Sequence, residues 1–241
     1  MLTLPSRQLA MSGRRSSLLT DLVAYWKLEE ASGNRADSLG FSNLAPTNTP
    51  GNAAGKQGNG LSLVAASSQY LSVASNSNLV LGDFDFTVAG WVNLTTVTGS
   101  SKSGIAKWNT TALSKEFSVG YYNTGVTKFQ FYISGNGVTA ASVSAGTPNP
   151  AVAGTWYFVL SYHDAASNVI GISVDNATAT TAAHTTGCYV GSSALNLGTI
   201  ADPLGEYGNG VYDEFGIWKR LLTATEKSAL YNGGFGTTYP F

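Results

Sequence analysis

Apolar residues recur at every second position along most of this chain. From 84 to 94, Phe84, Phe86, Val88, Gly90, Val92 and Leu94 fall on one side, and Asp85, Thr87, Ala89, Trp91 and Asn93 fall on the other. That is the period of a strand with two different faces. The same signal predicts strands over 22–28, 61–64, 70–73, 105–108, 117–122, 128–133, 138–143, 156–164, 169–175, 178–183, 195–200 and 211–218. Ser67-Ser68, Gly135-Asn136-Gly137 and Ala165 to Asn168 supply the turns between some of them. The period changes near the C-terminus, where Thr223 followed by Glu226 makes a capping box. A short helix through Ala229, Leu230 and Tyr231 follows and is stopped by Gly233 and Gly234. This arrangement predicts an all-β, two-sheet antiparallel sandwich closed by one helix.

Composition narrows the picture. Charged residues make up 11% of the 241 residues, under half the usual share of about 25%, and Gly, Ser, Thr and Asn take their place. A net charge of −1 offers no broad field to nucleic acid or an anionic membrane. The single cysteine, Cys188, excludes an internal disulfide framework. The first twenty residues hold Arg7, Arg14 and Arg15 and no acid. Leu9-Ala10-Met11 is too short for the apolar centre of a signal peptide, and nothing later approaches a membrane span. Residues 1–20 are therefore expected to form an extended arm outside a domain of residues 21–241, with the three arginines as an assembly anchor.

Five stretches, in order, carry a resemblance. They are the aromatic strand LVAYWKL with EEASG and DSLG after it, AGKQGNGLSL at 54–63, and FTVAGWV at 86–92. WYFVLSYHD with VIGISVD and, last, VYDEFGIWKRLL with its capped helix complete the series. Together they resemble the laminin-G-like, concanavalin A-like jelly rolls over residues 22–235. Two departures are His163 ahead of Asp164 and Asn176 where the family usually has glycine. The resemblance implies a jelly-roll sandwich and, in many relatives, one structural Ca²⁺ at its edge.

Candidate chemistry is sparse. His163 and His184 are the two histidines; neither lies in a nucleophile motif, and no HExxH, CxxC or phosphate loop is present. The superfamily includes laminarinase-type glycoside hydrolases, whose carboxylates alternate along one strand to face a cleft. The six glutamates, Glu29, Glu30, Glu116, Glu206, Glu214 and Glu226, make no such series, and Glu226 serves as a cap. A catalytic pair would have to come from Glu116, Glu206 and Glu214. In the last strand, alternation puts Asp213 with Val211, Phe215 and Ile217 on the core side, and Glu214 opposite. A buried carboxylate needs hydrogen bonds, a cation or an ion-pair partner. The resemblance sets the loop of Asp37 against this strand, so Asp37 and Asp213 either hold Ca²⁺ or accept backbone amides. Sugars dock on aromatic faces ringed by amides, and the candidates are Trp108 with Asn109, Tyr121 and Tyr122 with Asn123, and Tyr207 with Asn209.

Three classes of function follow. The first is a non-catalytic phage virion component, a capsid decoration or a tail or fibre protein. It would be held to other virion proteins or to copies of itself through the arm, and could bind host glycans. The second is a carbohydrate-binding module, located extracellularly or on a cell surface. The third is a glycoside hydrolase, which the scattered glutamates disfavour.

Overall fold

The computed structural model describes residues 16–123, 127–147, 151–200 and 205–241. The early strands are β1 (Leu22–Trp26), β2 (Ala45–Thr47), β3 (Gly51–Ala54), β4 (Asn59–Leu63) and β5 (Tyr70–Val73). The middle of the chain forms β6 (Phe86–Leu94), β7 (Lys102–Asn109), β8 (Ser114–Asn123), β9 (Thr127–Gly137) and β10 (Ala140–Ser144). The last third forms β11 (Trp156–Asp164), β12 (Val169–Val174), β13 (Thr180–Ala183), β14 (Leu195–Leu197) and β15 (Gly210–Trp218), followed by α1 (Ala224–Tyr231). They make two antiparallel sheets. One has the order β13-β12-β11-β6-β15-β4-β3, with β1 also paired to β15; the other has the order β10-β9-β8-β7-β14-β5-β2.

The inner faces of the sheets meet in one core. Phe86, Val88, Val92, Val159, Ile172 and Ile217 of the first sheet pack with Ile105, Phe117, Phe131, Ile133 and Leu195 of the second. Gly90 lies at the meeting point because a Cβ there would fall 2.6 Å from the Phe215 ring. The first sheet is also buried on its outer side. There Tyr25, Trp91, Phe158 and Trp218 form a second cluster with Leu222 and with Leu230 of α1. Tyr231 stacks on Trp91 at 5.9 Å, and Tyr239 and Phe241 of the C-terminal tail pack against Tyr25. One sheet thus carries two apolar layers, which is why its central strands read as nearly continuous hydrophobic runs.

Several sequence expectations shift. Ala45–Thr47 and Gly51–Ala54, outside every strand that alternation predicts, are strands at the free edges of the two sheets, and an edge is where Pro46, which has no N–H to donate, is tolerated. Gly135-Asn136-Gly137 belongs to β9, and the reversal comes at Val138-Thr139, whose amides both donate to Asn136 Oδ1. Phe84 precedes β6 and is 69% exposed. The amino end of the domain also lies earlier than residue 21. Ser17–Leu19 form a 3-10 turn, Leu18 is buried in the outer cluster, and the Leu18 carbonyl accepts from Trp218 Nε1 at 2.8 Å. Arg220 donates to the carbonyls of Ser17 and Thr20. Residues 16–20 are therefore packed parts of the domain, while Arg7, Arg14 and Arg15 lie outside the described residues.

The final strand departs most from simple alternation. Its pairing with β6 shifts between Asp213 and Gly216, and Glu214 has φ +52°. This is a β-bulge, in which one extra residue resets the side-chain period. Tyr212, Phe215 and Ile217 consequently enter the core together, and Asp213 does not accompany them as the alternation had predicted. Asp213 and Glu214 both turn to the outer side. Asp213 Oδ2 accepts the amides of Lys56 and Gln57 at 2.7 and 2.9 Å, and Glu214 Oε2 accepts Tyr25 OH at 2.6 Å.

Candidate functional site

The outer face of the second sheet is the one that neither α1 nor the C-terminal tail covers, and a depression opens on it. Strand alternation builds its floor. Phe117, Val119 and Tyr121 of β8 point into the core, so Ser118 and Tyr122 point out; Phe129, Phe131 and Ile133 of β9 point in, so Gln130 and Tyr132 point out. Trp108 reaches the same place from β7, after a bulge between Lys107 and Trp108. Thr110, Ile200 and Glu206 complete the walls of a cavity of about 270 Å³.

The rings stand nearly at right angles. Tyr122 and Tyr132 meet at 85° with centroids 5.2 Å apart, and Trp108 meets Tyr132 at 73° and 6.2 Å. Two hydroxyls are already engaged, since Tyr122 OH shares a short hydrogen bond with Ser118 Oγ and Tyr132 OH donates to Gln130 Oε1. What Trp108 and Tyr132 present is ring surface, while the buried Tyr122 closes the floor beneath them. Glu206 adds the carboxylate. It has φ +52°, a strained value for a residue with a Cβ, and its carbonyl holds the Ser103 amide at 2.8 Å. Burial pushes its carboxyl above the ordinary carboxylate range. Burial, and then the nearby Glu206 charge, raise the Tyr122 phenol. At the rim, Lys115 Nζ lies 5.8 Å from the Trp108 ring centroid and donates to the Val138 carbonyl.

Of the residues that the sequence offered for ligand binding, Trp108 and Tyr122 come together in this cavity. The others do not. Tyr121 is 2% exposed within the core, with its hydroxyl accepting the Ala151 amide; a side chain next to Tyr122 on a strand must face the other way. Asn109 closes a turn on the Ala112 amide, and Asn123 bonds Ser101 and the Gly99 carbonyl. Tyr207 packs on Tyr70 at 6.4 Å, while Asn209 accepts the Ala65 amide. Sequence reasoning missed Tyr132 and Ser118, and named Glu206 only as a carboxylate for a catalytic pair. Tyr132 had a usable signal, because an aromatic residue at a polar-face position of an alternating strand is exceptional.

The carboxylates named for a metal are held differently. Asp37 accepts four backbone amides, from Tyr25, Leu39, Phe41 and Ser42. Asp213 Oδ2 takes two amides, and Oδ1 has no hydrogen-bond partner. No hydrogen bond joins Asp37 to Asp213, and among the described residues no three His, Cys, Asp or Glu side chains gather as a metal would require. Asp37 and Asp213 are thus both held by backbone amides. The three free glutamates likewise sit in three different surroundings. Glu116 is inside the sandwich, paired with buried Lys107 at 2.8 Å; Glu206 faces the outer cavity; Glu214 lies against Tyr25 under the C-terminal tail.

A family model described as the concanavalin A-like lectin/glucanases superfamily matches residues 65–226. The chain belongs to that superfamily. No curated protein sequence matches it. Among solved structures, the binding domain of Paraclostridial mosquitocidal protein 1 is similar with a TM-score of 0.70 at 13% identity, over 89% of this chain and 52% of that one. Domain 4 of a GH43 extracellular arabinanase from Geobacillus stearothermophilus, solved with arabinotriose, is similar with a TM-score of 0.63 at 15% identity, over 90% and 98%. The binding domain of botulinum neurotoxin DC, in complex with rat synaptotagmin II, gives 0.67 at 13%, over 90% and 52%. The chain thus spans about half the length of the two toxin binding domains it resembles. These likenesses establish the fold, a lectin-like jelly roll. Among the described residues, no helix is long and apolar enough to cross a membrane.

Proposed function

We propose that this jelly roll is a non-catalytic glycan-binding domain whose ligand seats in the cavity of Trp108, Tyr122 and Tyr132. The observation that carries this reading is the convergence of three rings from three neighbouring strands on the uncovered face of the sandwich. Aromatic faces stack on the apolar side of a sugar ring while Thr110 and Glu206 offer oxygen acceptors and a donor at the edge. An arabinanase domain of this fold solved with arabinotriose supports the assignment of ligand class. Separation of Glu116, Glu206 and Glu214 supports the absence of hydrolysis, because retaining cleavage needs two carboxyls about 5–5.5 Å apart. Low charge and the basic stretch around Arg7, Arg14 and Arg15 support a place for the domain on a phage particle, with its N-terminal segment as the attachment.

Calorimetric titration with a panel of plant and bacterial cell-wall oligosaccharides tests the reading. Binding is expected in the millimolar to micromolar range, about −4 to −8 kcal/mol. Trp108→Ala and Tyr132→Ala should each abolish it while leaving the folded signal intact, and no reducing ends should appear on long incubation. A panel with no binder, or binding indifferent to both substitutions, would overturn the reading.

A further inference from the structure

The cavity holds a charge that no described residue answers. Its phenol oxygens are tied to Ser118 and Gln130, which leaves the Glu206 carboxylate as the charged group open to a ligand beside Thr110. No hydrogen bond or ion pair reaches that carboxylate from the described residues, and it has already lost part of its hydration to the surrounding rings. A half-buried carboxylate without a partner is an unfavourable arrangement in an empty protein and a favourable one for a cation. The rings point the same way. Trp108 and Tyr132, half-buried and nearly perpendicular, flank one small volume above the buried Tyr122, and the negative face of an aromatic ring attracts an ammonium group.

We propose that the glycan taken by this cavity carries a free ammonium group, as an unacetylated hexosamine does, with the ammonium on Glu206 and the sugar ring against Trp108 and Tyr132. The proposal rests on the glycan-binding reading above and names its ligand class. An N-acetyl group would place a neutral amide and a methyl where the carboxylate needs a donor bearing charge, whereas an ammonium gives a charge-assisted hydrogen bond. Lys115 sets a limit to the site. Its ammonium, 5.8 Å from the Trp108 centroid, repels a second cation at the rim, so the amine has to enter on the Glu206 side.

Titration of the full chain at 150 mM salt with β-1,4-linked glucosamine trimer, its N-acetylated counterpart, arabinotriose and choline tests this. The glucosamine trimer is expected to bind about tenfold more tightly than the N-acetylated trimer. Glu206→Gln should erase that difference without changing the melting temperature, and Lys115→Met should enlarge it. Equal binding of the two trimers, or a preference that survives Glu206→Gln, would overturn the proposal while the glycan reading stood. Choline bound as tightly as the glucosamine trimer would also overturn it, since the sugar would then contribute nothing. Failure of every saccharide to bind would remove the glycan reading itself.

Discussion

Asp213 and Glu214 show how much a single bulge can impose on two residues. They are 0% and 3% exposed, and each keeps one oxygen without a partner. Burial, with neighbouring carboxylates adding to it (Glu214 and Glu29 for the first, Glu29 for the second), raises Asp213 to about 8 and Glu214 to about 7. Amides of Gln57 and Lys56 pull Asp213 back, as Tyr25 OH pulls Glu214. Both folded values exceed the ordinary carboxylate range, so between about pH 4 and pH 8 the folded state holds more protons than the unfolded chain. The stability this pair contributes is therefore full below about pH 4 and is lost as pH rises through about 7 to 8. Chemical denaturation across pH 4 to 9 should show that decline, and Glu214→Gln should flatten it. A stability that rises steadily over this range, unchanged in the variant, would refute the account. Asp213→Ala should cost about 1–3 kcal/mol near pH 5 and less above pH 8, because two amides lose their acceptor while a buried charge is relieved at high pH.

At the scale of elements, α1 is an eight-residue helix held by its start. Thr223 Oγ1 accepts the Glu226 amide, and Glu226 Oε2 accepts the Thr223 amide in return. Arg220 grips both Glu226 oxygens at 2.8 Å and reaches Ser17 and Thr20 on the opposite end of the chain. The Arg220 guanidinium accordingly holds Glu226 down at about 2. Its sign is opposite to that of Asp213 and Glu214: the stability it supplies is present above the ordinary carboxylate range and lost as pH falls toward about 2. So short a helix has little stability of its own. Thr223→Ala should cost about 1 kcal/mol. Melting should follow at lower temperature, and the Trp91 fluorescence should change because Tyr231 stacks on that ring.

The whole molecule is asymmetric about its core. One sheet is covered on its outer side by α1, the C-terminal tail and the turn at Ser17–Leu19; among the described residues the other carries no such layer, and the aromatic cavity lies there. The covering layer joins the two ends of the chain, since Trp218 and Arg220 both donate to carbonyls of residues 17–20. Leu18→Ala should therefore cost about 2–5 kcal/mol, as burial of a core leucine predicts. Deleting residues 1–20 should lower the melting temperature by several degrees. Unchanged melting in both would show that the turn only rests on the domain. Neither change should touch glycan affinity, because the cavity lies on the other sheet.

Local pattern carried a good deal. Alternation located β1, β6, β11, β12 and β15 because a strand with two unlike faces repeats every two residues whatever it packs against. The Thr223–Glu226 box was legible because a cap needs residues three apart and nothing else. Alternation also stated that Tyr121 and Tyr122 face opposite ways, although not which of them faces the core. The tertiary structure decided that, together with the bulge that turned Asp213 out of the core beside Glu214. It alone brought Trp108, Tyr122, Tyr132 and Glu206 into one cavity. Those residues lie on β7, β8, β9 and the approach to β15, and their meeting depends on sheet order and register. Register is set by which faces bury together across the sandwich, a property of pairs of strands distant in sequence that no single strand's pattern contains.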